Sequence, residues 1–266
     1  MRALKIVVVG SLGLLVACSG GEKKTDEKPA DKPAAEAPEA AAEEAAEPAG
    51  EPGTIKVTVA FEGEAPKGAA LDRKADPYCA KTKVMDPSVM VNANKTLANV
   101  VVRLDKVRGK FDFDPTAKVE IVQKACMYEP RVQVAMKGQK VAITNGDTTL
   151  HNVHGYKGKN EQNWFNSAQP PNAPAISKDL KADDMVRFKC DVHPWMSSWI
   201  SIADHPFQGV SGDTGDVTLA NVPSRGKPYK LVTWHEKYGF KETEVKVEAG
   251  KTAEVKVTYS AADQQG

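Results

Sequence analysis

Several kinds of residue are scarce in this sequence, and each shortage excludes a class of protein. Four cysteines in 266 residues are too few for a disulfide-rich scaffold. The net charge is only +1, and the 30 basic and 25 acidic residues after position 52 are spread over many positions. This distribution does not indicate a nucleic-acid-binding surface. No H-E-x-x-H sequence occurs, so the common zinc-protease motif is missing.

Aromatic residues are absent from the first 60 positions, which begin as an export signal. Arg2 and Lys5 precede an apolar run, 6–17, that is too short to span a bilayer as a mature helix and is typical of a signal peptide. The run ends in Leu-Val-Ala-Cys-Ser, which resembles the bacterial lipobox. The resemblance implies lipidation of Cys18 and, from Ser19, an anchor in the outer membrane that faces the periplasm or the cell surface. An ordinary signal peptide with an incidental cysteine is the alternative.

The segment that follows is compositionally unable to fold. Residues 18–52 are rich in Ala, Glu and Pro, with four Lys against ten Asp and Glu over 22–52. Such a segment cannot bury enough apolar surface to offset the entropy of ordering the chain. We expect a disordered tether with a root-mean-square reach of about 30 Å.

The remainder of the chain has the period-two hydrophobic pattern of β-strands. Apolar residues alternate with polar ones at Ile55-Val57-Val59, Val132-Val134-Met136, Val186-Phe188-Cys190, Ile200-Ile202 and Val255-Val257. Clusters of Gly, Pro, Asn and Asp separate these runs, and no amphipathic helix of ten or more residues is evident. The pattern predicts an all-β fold of antiparallel sandwiches, with the stretch 155–175 as a longer surface excursion.

Two short segments carry the metal-ligating residue types. His151 lies in one, and Cys190, His193 and Met196 lie together in the other. Two imidazoles, a thiolate and a weak thioether form the ligand set of a blue-copper electron-transfer site. Taken singly, a buried cysteine is usually a small hydrophobic residue, and a lone histidine or methionine is usually structural, so the hypothesis depends on the four together. His154 has the opposite strand parity to His151 and is expected at the surface.

The segment from about 118 to 203 resembles a cupredoxin, and most of all an amicyanin. The matching sequences are Met127-Tyr128-Glu129-Pro130, Gly138-Gln139-Lys140-Val141, His151-Asn152-Val153-His154 and Cys190-x-x-His193-Pro194-Trp195-Met196. The resemblance implies a Greek-key sandwich with one mononuclear type 1 copper. Its ligands would be His151, Cys190, His193 and Met196, and Asn152 would tie the two ligand loops together by hydrogen bonds. His193 would be the exposed edge for electron transfer, and Pro194 and Trp195 would form an apolar docking patch.

Missing features narrow the copper chemistry further. Coupled multicopper oxidases need His-x-His pairs and a His beside the cysteine, whereas Lys189 and Asp191 flank Cys190 here. A binuclear centre needs two cysteines on the ligand loop, and this loop has one. We therefore expect a one-electron carrier and not an enzyme.

A second sandwich is indicated around this segment. The stretch Gly212-Asp213-Thr214-Gly215-Asp216-Val217, followed by Tyr229-x-Leu231-x-x-Trp234-His235, is similar to part of a carboxypeptidase regulatory-like (transthyretin-like) domain. Its first strands would be 53–59 and 99–104, so that the cupredoxin is inserted in it. The expected organisation is a signal peptide at 1–17, a tether at 18–52, the first part of the regulatory-like sandwich at 53–117, the cupredoxin at 118–204 and the second part of the sandwich at 205–260.

Two cysteines remain after lipidation and copper binding are assigned. Cys79 and Cys126 form an even pair in an exported chain, which suggests a disulfide that joins the inserted sandwich to its host. Two buried thiols, or copper-capturing ligands with Met127, are the alternatives.

These observations lead to one principal functional hypothesis. The chain is expected to be a membrane-anchored type 1 copper protein that transfers single electrons between extracytoplasmic redox partners. We expect a transient redox protein partner, membrane contact through the lipid on Cys18, no nucleic acid and a monomer in the cell envelope. A copper storage or delivery lipoprotein, and a non-redox cell-envelope binding module with a structural or degenerate metal site, remain as alternatives.

Overall fold

The computed structural model describes residues 50–114, 116–158, 160–181 and 184–265. The expected signal peptide, Cys18 and most of the tether lie outside the described residues. The tether was expected to extend to residue 52, but residues 50–52 already belong to the first strand, where Gly50 and Pro52 pair with Ser224 and Pro223. Pairing with an edge strand and a hydrogen bond from Gly250 N to Pro52 O hold this stretch, although it has almost no apolar residue to bury.

Sixteen strands and two short 3-10 helices, Cys79–Lys81 and Ala261–Asp263, make up the regular structure of the described residues. The strands are β1 (Gly50–Glu62), β2 (Val101–Leu104), β3 (Val119–Lys124), β4 (Met127–Glu129), β5 (Val132–Met136), β6 (Lys140–Asn145), β7 (His151–Lys157), β8 (Gln162–Gln169), β9 (Ile176–Asp179), β10 (Asp184–Lys189), β11 (Ser197–Ala203), β12 (Gln208–Val210), β13 (Asp216–Ser224), β14 (Tyr229–His235), β15 (Gly239–Val245) and β16 (Thr252–Ser260). The all-β prediction is confirmed. Within the described ranges, no helix is long and apolar enough to span a membrane.

One pair of sheets is built from the middle of the chain. A five-stranded sheet in the order β5-β11-β10-β7-β8 faces a four-stranded sheet in the order β4-β3-β6-β9. Their inner faces share one core cluster that includes Ile121, Ile143, Phe188 and Ile200, each fully buried. Because alternate side chains of a strand point to opposite faces, the period-two pattern of the sequence places these residues inward.

A second pair of sheets is built from the two flanking parts of the chain. The three-stranded sheet β13-β1-β16 and the four-stranded sheet β12-β2-β14-β15 enclose another core cluster. Ile55, Val57 and Val59 are fully buried in it, as their alternation predicts. The predicted combination of a cupredoxin-like sandwich and a second small sandwich therefore describes the fold, whereas the exact domain boundaries remain predictions.

Contacts between the two pairs of sheets explain where the alternating apolar residues of β5 are buried. Val132 and Val134 of β5 do not lie in the core of their own sandwich, where Ala135 is buried instead. They pack in a third cluster with Trp199 of β11 and Val101 of β2. Beside this cluster, the half-buried Arg131 and Glu236 form an ion pair that joins the same two parts of the chain.

The stretch 155–175 differs from the expectation of a surface excursion. It contains β8, which forms a hairpin with β7, so that Gly155 pairs with Phe165 and His151 pairs with Gln169. The Asn-rich and Pro-rich composition had concealed this strand. Because β8 is an edge strand of its sheet, polar side chains on its outer face remain solvated.

The connection between β1 and β2 carries a segment that lies against the middle sandwich. We call its residues 73–82 the cap. Arg73 is only 3% exposed, and its guanidinium donates hydrogen bonds to the carbonyl oxygen of Ala125, in the β3–β4 turn, and to Thr82. The short helix Cys79–Lys81 lies in the cap, and Cys79 forms a disulfide with Cys126. The predicted disulfide thus joins the two parts of the chain that it was expected to join.

Candidate metal centre

The middle sandwich brings its metal-ligating residue types together at one end. His151 is the first residue of β7, Cys190 directly follows β10, and Met196 directly precedes β11. Because β7 and β10 pair antiparallel, with His154 opposite Lys189, the start of one strand lies beside the end of the other. His193 lies on the short loop between β10 and β11. Two backbone hydrogen bonds close this loop, one from Met196 N to His193 O and one from Cys190 N to Met196 O.

Three donor atoms converge at this end of the sandwich. His151 Nδ1 lies 2.8 Å from His193 Nδ1, and Cys190 Sγ lies 3.7 Å from His193 Nδ1. Their side chains are almost completely buried, with relative exposures of 0%, 1% and 1% for His151, His193 and Cys190. Met196 is also fully buried, in the core cluster that contains Cys190. The structure therefore gathers the predicted residues in one region, while their role as ligands remains a prediction.

Asn152 connects the two segments that carry these residues. Its side-chain oxygen accepts hydrogen bonds from the backbone amides of Asp191, at 2.6 Å, and Val192, at 3.3 Å. Its own backbone amide donates to Cys190 Sγ at 3.5 Å. These bonds hold the start of β7 to the loop after β10, which is the arrangement that the resemblance implied.

Each imidazole is held from its far side by a carboxylate. Asp147 Oδ2 lies 2.9 Å from His151 Nε2, and Asp76 Oδ2 lies 2.9 Å from His193 Nε2. Asp147 is itself fixed, because it accepts hydrogen bonds from the backbone amides of Ala125 and Cys126, each at 2.8 Å. Both rings therefore direct Nε2 toward a carboxylate and Nδ1 toward each other.

This arrangement fits a bound cation. An ionised carboxylate only accepts hydrogen bonds, so the neutral form of each imidazole must carry its hydrogen on Nε2. Both Nδ1 atoms are then unprotonated, and their lone pairs would repel at 2.8 Å unless a positive charge lies between them. Two ligand bonds of about 2.0–2.3 Å to one metal can span roughly 4 Å. The distances from His193 Nδ1 to His151 Nδ1, 2.8 Å, and to Cys190 Sγ, 3.7 Å, are within this limit, so one metal could contact all three atoms. The three donors fit a soft transition metal such as copper.

Burial acts in opposite directions on the two kinds of donor: it favours the unprotonated imidazole of His151 but disfavours the thiolate of Cys190. Burial lowers the pKa of His151, although its hydrogen bond to Asp147 opposes this effect, so the imidazole is neutral at neutral pH, as a metal ligand must be. Burial raises the pKa of the Cys190 thiol, opposed by the backbone amide of Asn152. Burial alone would raise the pKa of Asp76, but hydrogen bonds from Thr149, His193 and two backbone amides lower it to about 2.

The expectation that His193 forms an exposed edge is wrong. Its side chain is 1% exposed because the cap covers it, with Asp76 at Nε2 and Cys79 Sγ at 3.5 Å from the same nitrogen. Trp195 is half-buried, its ring centroid lies 5.1 Å from that of His193, and its Nε1 donates to Cys126 O at 2.9 Å. Only Pro194 of the expected docking patch is well exposed, so that patch remains a prediction.

Sequence reasoning missed Asp147 and Asp76. Asp147 offered a local signal, since it precedes His151 by four residues in a turn-forming Asn-Gly-Asp sequence. Asp76 offered no such signal, because it is 117 residues from His193 and lies in the connection between β1 and β2 of the other sandwich. His154, which was expected at the surface, is half-buried on the opposite side of β7 and contacts Asp191 at 3.0 Å.

Comparisons with known proteins give structural similarity without sequence similarity. No protein-family model matches the chain, and no curated protein matches it in sequence. A purple cupredoxin from Nitrosopumilus maritimus is 20% identical over 31% of this chain and 97% of its own, with a TM-score of 0.28. Amicyanin from Paracoccus versutus is 19% identical over 34% of this chain and 84% of its own, with a TM-score of 0.29. A reduced amicyanin mutant is 19% identical over 33% of this chain and 83% of its own, with a TM-score of 0.30.

Proposed function

We propose that the chain is a type 1 copper protein that carries single electrons in the cell envelope. The observation that supports this most directly is the convergence of His151 Nδ1, His193 Nδ1 and Cys190 Sγ, all on almost completely buried side chains, at one end of the middle sandwich. Thiolate and imidazole donors with a weak axial thioether are the ligand set of blue-copper sites, and Met196 would supply the thioether. When bound, copper would supply a reversible one-electron couple.

The surrounding residues suit a carrier more than a site that exchanges its metal. Asn152, Asp147 and Asp76 fix the donor-bearing segments by hydrogen bonds, so that the donors would keep their positions in both oxidation states. The three donor-bearing side chains are almost completely buried, so bulk solvent has little access to them. These features disfavour a storage or delivery role, in which the metal must leave readily.

The cellular setting of this function is also a proposal. The N-terminal sequence supports lipid attachment at Cys18 and location in the cell envelope, at the outer membrane. The partner would be another extracytoplasmic redox protein that binds transiently. The chain itself would act as a monomer. The near-zero net charge supports the view that nucleic acid is not a partner.

Copper reconstitution tests this function. We expect the purified chain to bind one Cu(II) per molecule, with an intense sulfur-to-copper charge-transfer band that disappears on reduction and returns on oxidation. Cys190→Ala should abolish the band, whereas His154→Ala, which removes a nearby imidazole outside the donor group, should leave it in place. Absence of the band in the copper-loaded wild type would contradict the proposal, and release of copper to a chelator on reduction would favour delivery instead.

A further inference from the structure

The cap brings a fixed carboxylate to the metal centre from outside the segment that carries the donors. Asp76 Oδ2 lies 2.9 Å from His193 Nε2 and accepts a hydrogen bond from Thr149 Oγ1 at 2.8 Å. Its other oxygen accepts hydrogen bonds from the backbone amides of Tyr78, at 2.7 Å, and Cys79, at 3.3 Å. With four partners, this carboxylate has one orientation, and that orientation faces the imidazole.

The disulfide and its neighbours hold the cap against His193. Cys79 is bonded to Cys126 of the middle sandwich, and both cysteines are almost completely buried. Cys79 Sγ lies 3.5 Å from His193 Nε2, and the Trp195 ring packs on the same imidazole. The imidazole is therefore enclosed by groups from two distant parts of the chain, and it cannot rotate without displacing the cap.

We propose that Asp76 is a positioning residue of the metal centre, which holds His193 with Nε2 protonated and Nδ1 free to bind metal, and that the Cys79–Cys126 disulfide keeps Asp76 in place. This inference rests on the proposed function insofar as His193 is a metal ligand. Partners on the far nitrogen of a ligating histidine fix its tautomer and raise its basicity. A negative charge at that position also favours the more highly charged state of the metal.

The first test uses metal-free protein with ¹⁵N-labelled histidine. In the wild type, NMR should show a slowly exchanging proton on His193 Nε2, because that hydrogen is buried and bonded to Asp76. The Asp76→Asn variant should lose this slow exchange, since an amide can also donate and no longer demands a proton on Nε2. Asp72→Asn, in the same connection but on an exposed residue, is the matched control and should leave the proton unchanged.

The second test measures the loaded centre. We expect Asp76→Asn to weaken Cu(II) affinity by about 10- to 100-fold and to raise the reduction potential, and we expect Asp76→Glu to restore most of the affinity. Cys79→Ala with Cys126→Ala should shift both quantities in the same direction. If Asp76 made only a structural contact, its substitution would lower the stability of the fold without raising the reduction potential of the copper centre.

The outcomes separate the two proposals. If the wild type binds no copper, the proposed function fails, while the Nε2 proton of metal-free His193 still decides the role of Asp76. If the wild type lacks that slowly exchanging proton, or if Asp76→Asn keeps the wild-type affinity and potential, the positioning role is overturned. Should Asp76→Asn fail to fold, the wild-type spectrum and the Asp76→Glu variant still decide the matter.

Discussion

Removal of the Cys79–Cys126 disulfide offers a quantitative test of how the cap is attached. The bond links residues separated by 47 positions, and the chain-entropy relation assigns a loop of this length about 4 kcal/mol of stability. Cys79→Ala with Cys126→Ala should therefore lower the free energy of unfolding by about 4 kcal/mol. With a urea dependence of about 1–3 kcal/mol per molar, the midpoint should fall by more than about 1 M.

The assay is equilibrium unfolding in urea, followed by far-ultraviolet circular dichroism with and without a dithiol reductant. The reductant should lower the wild-type midpoint toward that of the double variant and leave the double variant unchanged. In the absence of denaturant, the native wild type should react slowly, because the two cysteines are 1% and 0% exposed. A loss below about 1 kcal/mol, far under the chain-entropy value, would refute the reasoning that the bond constrains the unfolded chain.

Two further predictions concern the contact between the sandwiches and the second core. Glu236→Gln should cost about 3 kcal/mol in urea unfolding, because it leaves the charge of Arg131, whose side chain is only 11% exposed, unpaired. Glu242→Gln, which breaks the exposed pair with Lys230, is the control and should cost less than about 1 kcal/mol; equal losses in the two variants would contradict this account. Burial lowers the pKa of His235 to about 4, so the folded state resists its protonation and stability should fall as the pH drops from about 6.5 to about 4. His235→Phe should flatten the pH dependence of the unfolding free energy across that interval, and an unchanged slope would show that another group is responsible.

Local pattern was sufficient to predict the strands that line the cores. Ile55, Val57 and Val59 alternate without interruption and are fully buried, and Val186, Phe188 and Cys190 follow the same rule. The edge strand β8 escaped prediction because solvent satisfies its polar outer face, so its composition resembles that of a loop. Val134 was predicted in a strand correctly, but its burial against the other sandwich depends on a contact that no local pattern encodes.

The candidate site shows the same division between local and distant information. His151, Cys190, His193 and Met196 could be selected because their residue types and spacing carry the chemistry. The burial of His193 could not be predicted, because the cap that covers it comes from a connection more than 100 positions away along the chain. Asp76 lies in that connection, and its carboxylate acquires a role only when the fold brings it to 2.9 Å from the imidazole.

A crystal of the copper-loaded chain, measured on both sides of the copper absorption edge, tests the central claim most directly. We expect one anomalous peak at bonding distance from His151 Nδ1, His193 Nδ1 and Cys190 Sγ, with Asp76 and Asp147 still on the two Nε2 atoms. A peak elsewhere, or a Cys190 thiol turned away from both imidazoles, would contradict the proposed centre.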